Sequence, residues 1–313
     1  MVYVTKKSIS GKDYFYLVSN IKRMGKIKKV QIYAGSSKPA GKKLRGLKDV
    51  MELKLRKHLT DSDPLLGLNS QNDRNVIEKS KLFYSKISNF SPSVKRNYYE
   101  WFVSTITYNS NAIEGSSLSL RETSMVIFEG ITPTGKSIED VRAAENHKRA
   151  FDFILSYRGD IDKRFVLKMH KILAKDLLEP EESGKLRKVQ VYVRGSGTIP
   201  PKPEEVPVQL KQLIGWCKNN KKRYDPAVLA SYFHTAFEGI HPFVDFNGRT
   251  GRLLLNFILI KNGCPPIDIR NSDRLRYYGC IRSGIKGNVK PMCEMIIDCL
   301  KDILKNSTKN SKS

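Results

Sequence analysis

The chain has 313 residues, 40% of them hydrophobic, with a mean hydropathy of −0.42, enough for one large domain with an appendage or for two modest ones. Its 56 Lys/Arg against 31 Asp/Glu leave a net charge of +25, which admits phosphate-rich partners. The longest apolar run, LLLNFILI, is far shorter than the ~20 residues of a membrane-spanning helix, so no such helix is expected.

No signal-peptide pattern opens the chain, so the cytoplasm is the expected compartment. Cys217, Cys264, Cys280, Cys293 and Cys299 show no CxxC pair and no zinc-type histidine spacing. They read as reduced, mostly buried thiols, without a structural metal.

Residues 1–40 alternate β-branched and aromatic runs (YVTKKSIS, DYFYLVSN, KKVQIYAG) with glycine- and charge-rich breaks. This predicts a small basic three-stranded meander. Residues 41–74 read as a basic helical linker. Residues 1–60 hold 16 Lys/Arg and three acids, which favours nucleic acid or an anionic surface as partner, or equally a solvated face. From residue 75 to 305 the apolar spacing is helical, so the fold class is mainly α. Ser119 with Glu122 predicts a capping box, and Asp225-Pro226 a helix start. Asn262-Gly263 with Pro265 beyond predicts a helix stop. Val189–Pro203 (VQVYVRGSGTIPP…) alternates, turns on glycines and ends in prolines, which predicts a β-hairpin. The polar tail from Asn306 to Ser313 predicts disorder.

Two stretches look built for phosphate. Gly130–Ser137 (GITPTGKS) satisfies the P-loop pattern. The helix that would follow opens with Glu139 and Asp140, which repel phosphate, so Ser137 reads better as an ordinary helix cap. In HPFVDFNGRTGR, His241 ends one helix and Asn247-Gly248 leads into the next. That second helix has no acid in its first turn, and Arg249 and Arg252 share its face. Amides, a dipole and two arginine forks make a receptor for a polyphosphate. Asp245 can hold a magnesium ion shared with phosphate oxygens, and His241 can take a proton from an attacking hydroxyl. His147, His170 and His234 read as structural.

This stretch resembles the signature of the Fic family, H-x-F-x-D/E-G-N-G-R-x-x-R, at His241, Phe243, Asp245, Asn247, Gly248, Arg249 and Arg252. The resemblance implies an all-α core that binds ATP with Mg2+ and moves AMP onto a target hydroxyl. It gives His241 as general base and Asp245 as magnesium ligand. Asn247 and the Gly248 amide are implied at the α-phosphate, and Arg249 and Arg252 at the β- and γ-phosphates. SNAIEG, Ser110 to Gly115, is similar to the family's inhibitory motif. It implies a helix around 95–115 from which Glu114, sharing a face with Ser110, blocks Arg252. The 189–203 segment is similar to the family's target-clamping flap, with Val193, Arg194, Gly195 and Ser196 at its tip. Tyr277 and Tyr278 are implied at the nucleoside. One departure stands at Phe246, where the family has glycine. A left-handed phenylalanine costs on the order of 1–2 kcal/mol, so either the turn avoids that conformation or the phosphate nest is altered.

The expectation is thus an autoinhibited protein adenylyltransferase acting on a target protein, with a homodimer compatible and no membrane contact. Two alternatives remain open: removal of AMP through a water oriented by Glu114, and a nucleic-acid-binding regulator that uses residues 1–60.

Overall fold

The computed structural model describes residues 2–23, 26–193 and 198–309, and the chain forms two compact units, Met1–Leu68 and Asn69–Ser313. In the first, β1 (Val2–Ile9), β2 (Lys12–Arg23) and β3 (Lys26–Gly35) make an antiparallel sheet in that order. Ser10 and Gly11, both at positive φ, form the two-residue turn between β1 and β2, as the strand twist favours. Helix α1 (Gly41–Ser62) packs Leu44, Leu47 and Met51 against Leu17, Val30 and Ile32 of the sheet. The expected linker at 41–74 is therefore corrected. The 44/47/51 spacing is a helical stripe that needs a partner, and the sheet supplies it.

The second unit is helical among its described residues. Its helices are α2 (Gln71–Ile87), α3 (Pro92–Ile113), α4 (Leu120–Ser124), α5 (Ile138–Ser156), α6 (Lys163–Leu173) and α7 (Val206–Asn220). They are followed by α8 (Pro226–Ile240), α9 (Asn247–Lys261), α10 (Arg274–Ile285) and α11 (Lys290–Lys309). The unit opens at Asn69 because Ser70 and Asp73 form a capping box that starts α2 before residue 75. The core is centred on α8 and α9, with Phe233, Phe237, Leu253, Leu254 and Phe257 almost wholly buried. Both are enclosed on nearly all sides, so their sequences are apolar almost all round.

The helix punctuation follows the sequence signals at most places. Ser119 and Glu122 form a reciprocal capping box on α4, and Asn262-Gly263 ends α9 with Gly263 at φ 77°. Asp225 holds the N-cap position of α8 without a capping bond. Its carboxylate instead accepts from Arg74 Nε at 3.1 Å. In the P-loop-like segment, Ser137 Oγ accepts from Asp140 N at 3.0 Å as a plain cap of α5, and Lys136 Nζ donates to Ser117 O at 2.6 Å.

Two expectations fail. Among the described residues of 189–203 there is no strand. Pro200, Pro201 and Pro203 cannot donate to a ladder, and side chains tie the two limbs together instead. The tail is also more ordered than expected: helix α11 runs on to Lys309, and residues 310–313 lie outside the described residues. No helix among the described residues is long and apolar enough to cross a membrane. Four of the five cysteines are buried and all are free.

Candidate active site

The loop from His241 to Phe246 joins the two central helices, and a non-glycine residue in left-handed conformation stands at each end. His241 ends α8 at φ 49°, ψ 62°, and Phe246 opens α9 at φ 60°, ψ 15°. Each costs on the order of 1–3 kcal/mol, and such residues persist only where surrounding packing dictates them. Here the packing is explicit. Asn247 accepts from Phe243 N and donates to Phe243 O, both at 2.9 Å. The His170 ring stacks on Phe243 with centroids 3.7 Å apart. Its Nδ1 accepts from Gly184 N at 2.9 Å, so Nε2 bears the proton and donates to Asp245 O at 3.2 Å. Burial pushes His170 down to about 4, so it stays neutral while it braces the loop.

His241 Nδ1 lies 3.4 Å from the Glu238 carbonyl, and beside a carbonyl it can only donate. That leaves Nε2 with a free lone pair. Burial, with Arg187 nearby, lowers the imidazole below its ordinary pKa despite the Glu238 carbonyl, so it is a neutral base at pH 7.

The first turn of α9 is the amide-rich end of a helix with no acidic residue in it. Arg252, 6% exposed in its side chain, projects from the turn that follows. Its Nε donates to Ser110 Oγ at 3.0 Å and Nη2 to Ser110 O at 2.8 Å, while Nη1 reaches Tyr277 Oη at 3.3 Å. Nη2 also meets Glu114 Oε1 at 2.7 Å. The sequence brings Glu114 there because α3 ends at Ile113, Glu114 is its C-cap, and Gly115 turns away at φ 103°. The carboxylate lies directly over Gly248: a Cβ at that position would collide with Glu114 Oε1 and stand 3.1 Å from Arg252 Nη1. Burial would raise Glu114, but Arg252, Arg249 and His241 outweigh it and hold the carboxylate below its ordinary pKa.

Arg249 lies with its guanidinium carbon 3.8 Å above the Phe246 ring, and its Nη2 is 3.9 Å from Asp245 Oδ1. Its buried Nε has no hydrogen-bond partner among the described residues. A buried donor left open beside a helix amino terminus suits an anion. Asp245 is 63% exposed and accepts from Phe246 N through Oδ1.

Expected residues thus divide. His241, Asp245, Phe246, Gly248, Arg249, Arg252, Ser110 and Glu114 converge on one place. The Asn247 side chain does not face it, because both ends of its amide are occupied in the loop. Tyr277 is fully buried, and its hydroxyl serves His234 Nε2 at 2.9 Å and Arg252. Such a ring on the inner face of α10 is core with a polar handle. Tyr278 is half-buried and donates to Ile113 O at 3.1 Å, at the end of α3. Val193 is half-buried, while Arg194, Gly195 and Ser196 lie outside the described residues.

Two residues went unnoticed in the sequence. Arg187, 4% exposed, donates to His241 O at 2.8 Å, Val189 O at 3.0 Å and Pro201 O at 2.6 Å. One guanidinium therefore ties the histidine to both limbs of the 189–203 segment. Glu238 is buried with Oε1 unpartnered, and burial raises it to about 8. No periodic or motif signal distinguishes either from a surface charge.

Residues 160–259 match the family model described as Fic/DOC family. Protein adenylyltransferase Fic of Culex quinquefasciatus is 32% identical over 234 residues, covering 71% of this chain and 45% of that protein. The protein of the same name from Drosophila mojavensis is 33% identical over 208 residues, covering 63% and 39%. The chain thus spans about half the length of the curated relatives it matches or less. In fold, a fragment of Fic-1 from C. elegans superposes with a TM-score of 0.66 at 26% identity, covering 84% of this chain and 79% of that one. A Fic domain containing signaling protein from Bacteroides thetaiotaomicron gives 0.65 at 22%, covering 72% and 92%.

Proposed function

The chain carries a domain of the Fic/DOC family, and from that premise we propose that it is an autoinhibited protein adenylyltransferase, moving AMP from ATP to a Ser, Thr or Tyr hydroxyl of a target protein. The observation that carries this reading is the 2.7 Å pair between Glu114 and Arg252, lying across Gly248 at the amino end of α9. Amides, arginines and dipole make a polyphosphate seat, and a carboxylate of the chain itself lies across it.

With Glu114 displaced, the first-turn amides of α9 hold the α-phosphate, and Arg249 Nε and the Arg252 guanidinium take the distal phosphates. The target hydroxyl attacks the α-phosphorus and passes its proton to His241 Nε2. The bond to the bridging oxygen breaks, and pyrophosphate leaves towards the arginines. Placement and charge neutralisation supply most of the rate. The exposed second oxygen of Asp245 suits a magnesium ion that keeps most of its ligands as water and phosphate. Bound there, the ion would neutralise charge on the phosphates. A target segment would dock along the two limbs that Arg187 holds.

The test supplies α- or γ-labelled ATP to wild type, Glu114→Gly and His241→Ala. Label from the α-position alone, faster in Glu114→Gly and absent in His241→Ala, is the expected result. Transfer of γ-label, or a Glu114→Gly chain no faster than wild type, sinks the reading.

A further inference from the structure

In the first unit one face of the sheet packs on α1. Val4, Leu17 and Ile32 stand in register across the three strands and turn towards α1. The alternation then sends Tyr3, Thr5 and Lys7 of β1, Lys12, Tyr14 and Tyr16 of β2, and Lys29, Gln31 and Tyr33 of β3 to the opposite face. Contacts agree with the register: Lys7 Nζ lies 5.4 Å from the centre of the Tyr16 ring, and Tyr33 touches Tyr14 and Tyr16 at 6.2 and 5.6 Å. Val18 at the middle of this face is fully buried, but Tyr3 is 43% and Tyr33 54% exposed, and Lys7, Lys12, Lys29 and Gln31 are open.

This face has no acidic residue. Asp13, in β2, lies on the α1 side, paired with Lys6 at 2.7 Å. A sheet surface that interleaves open aromatic rings with lysines matches a ligand carrying both π faces and phosphates. We propose that the tyrosine–lysine face of this sheet binds single-stranded nucleic acid, bases stacking on Tyr3 and Tyr33 and phosphates meeting Lys7, Lys12 and Lys29. A duplex offers the same phosphates, but its bases are already stacked on one another and leave the exposed rings unused. An anionic lipid surface offers charge to the lysines but no base to stack on the rings. The proposal is independent of the chemistry assigned to α8 and α9.

The test measures binding of the full chain by fluorescence anisotropy at several salt concentrations. The probes are labelled oligo(U) and oligo(dT) about 15 nucleotides long, near the upper site size of sheet-based single-strand binders, with a duplex of equal length and phosphatidylserine vesicles alongside. Both single strands are expected to bind more tightly than the duplex and the vesicles. Tyr3→Ala and Tyr33→Ala should each weaken binding about tenfold, within the range for loss of one base stack, while Tyr33→Phe retains it. Lys7→Gln with Lys29→Gln should flatten the salt dependence by ~0.7 per phosphate lost. Circular dichroism of each variant establishes that the sheet persists. Tighter binding of the duplex or vesicles, or alanine variants that bind oligo(U) like wild type, overturns the proposal.

Discussion

His241 and Phe246 hold left-handed backbone at the two ends of one loop, and a side chain pays a different penalty at each. For Phe246 the ring is 5% exposed and lies under Arg249, so it contributes packing and a cation–π contact that the family's glycine would lack. Phe246→Gly recovers about 1–2 kcal/mol of backbone strain but loses a buried aromatic side chain worth about 3–5 kcal/mol. The expected outcome is a net destabilisation of about 2 kcal/mol in urea unfolding, from the difference of those two terms. A variant more stable than wild type would show that the strain outweighs the ring. Glu238 gives a pH dependence. Burial raises it to about 8, so between its ordinary pKa and about 8 the unfolded chain has released a proton that the folded chain keeps. Stability from this group is therefore fully present in acid and declines as pH rises through that window, at up to ~1.4 kcal/mol per pH unit. Glu238→Gln removes the ionisation while keeping the shape. The stability difference, variant minus wild type, should grow from pH 5 to pH 8. A flat difference refutes the assignment. Taking the difference isolates Glu238 from Asp268, which burial raises in the same direction, and from His147, His170 and His234, which burial lowers.

Among elements, the decisive tie is Arg187, whose guanidinium bridges the end of α8 and both limbs of the 189–203 segment. Lysine keeps the charge but offers one point donor where three carbonyls in different directions are held. In the Glu114→Gly background, Arg187→Lys should lower the AMP-transfer rate at saturating ATP on the order of 10–100-fold, because His241 and the two limbs of the 189–203 segment lose their mutual placement. The KM for ATP should hardly move, since no phosphate contact is touched. A shift in that KM with an unchanged maximal rate would count against the positioning role. The same tie shows what could be read in the sequence and what could not. The α8–loop–α9 unit was legible because each of its signals is local: Asp225-Pro226 ahead, Asn262-Gly263 behind, and polar residues at fixed spacing between. Glu114 was legible only through the resemblance of Ser110–Gly115 to the family's inhibitory motif, since its spacing alone reads as a surface glutamate before a helix stop. Arg187 was not, because its three acceptors come from distant stretches and its neighbours Lys185 and Lys188 make it look like one more solvated cation. Strands at 189–203 were over-read: alternation was present, but the prolines deny one limb its donors. The inward orientation of Tyr277 was not legible, because a paired tyrosine carries no mark of which ring faces inward.

For the whole molecule, the two units have separate cores. Among the described residues, the sheet cluster lies within residues 2–51, and the buried residues of the large helical cluster begin at Ile77. A domain with its own closed core unfolds as its own cooperative unit. Residues 69–313 alone should therefore melt within about 3 °C of the main transition of the full chain, since 1 kcal/mol moves a domain of this size by about 2–4 °C. In the Glu114→Gly form that fragment should also keep AMP transfer to itself or to a supplied target, because every group at the seat lies beyond Asn69. What it should lose is nucleic-acid affinity, since residues 1–60 carry 16 Lys/Arg against three acids and the tyrosine face goes with them. The opposite pattern is equally readable. A fragment that melts more than about 5 °C lower would mean that the first unit stabilises the second by over 1 kcal/mol. A fragment that still binds oligo(U) as the full chain does would move the binding surface onto the helical unit, whose own excess of lysine and arginine would then have to account for it.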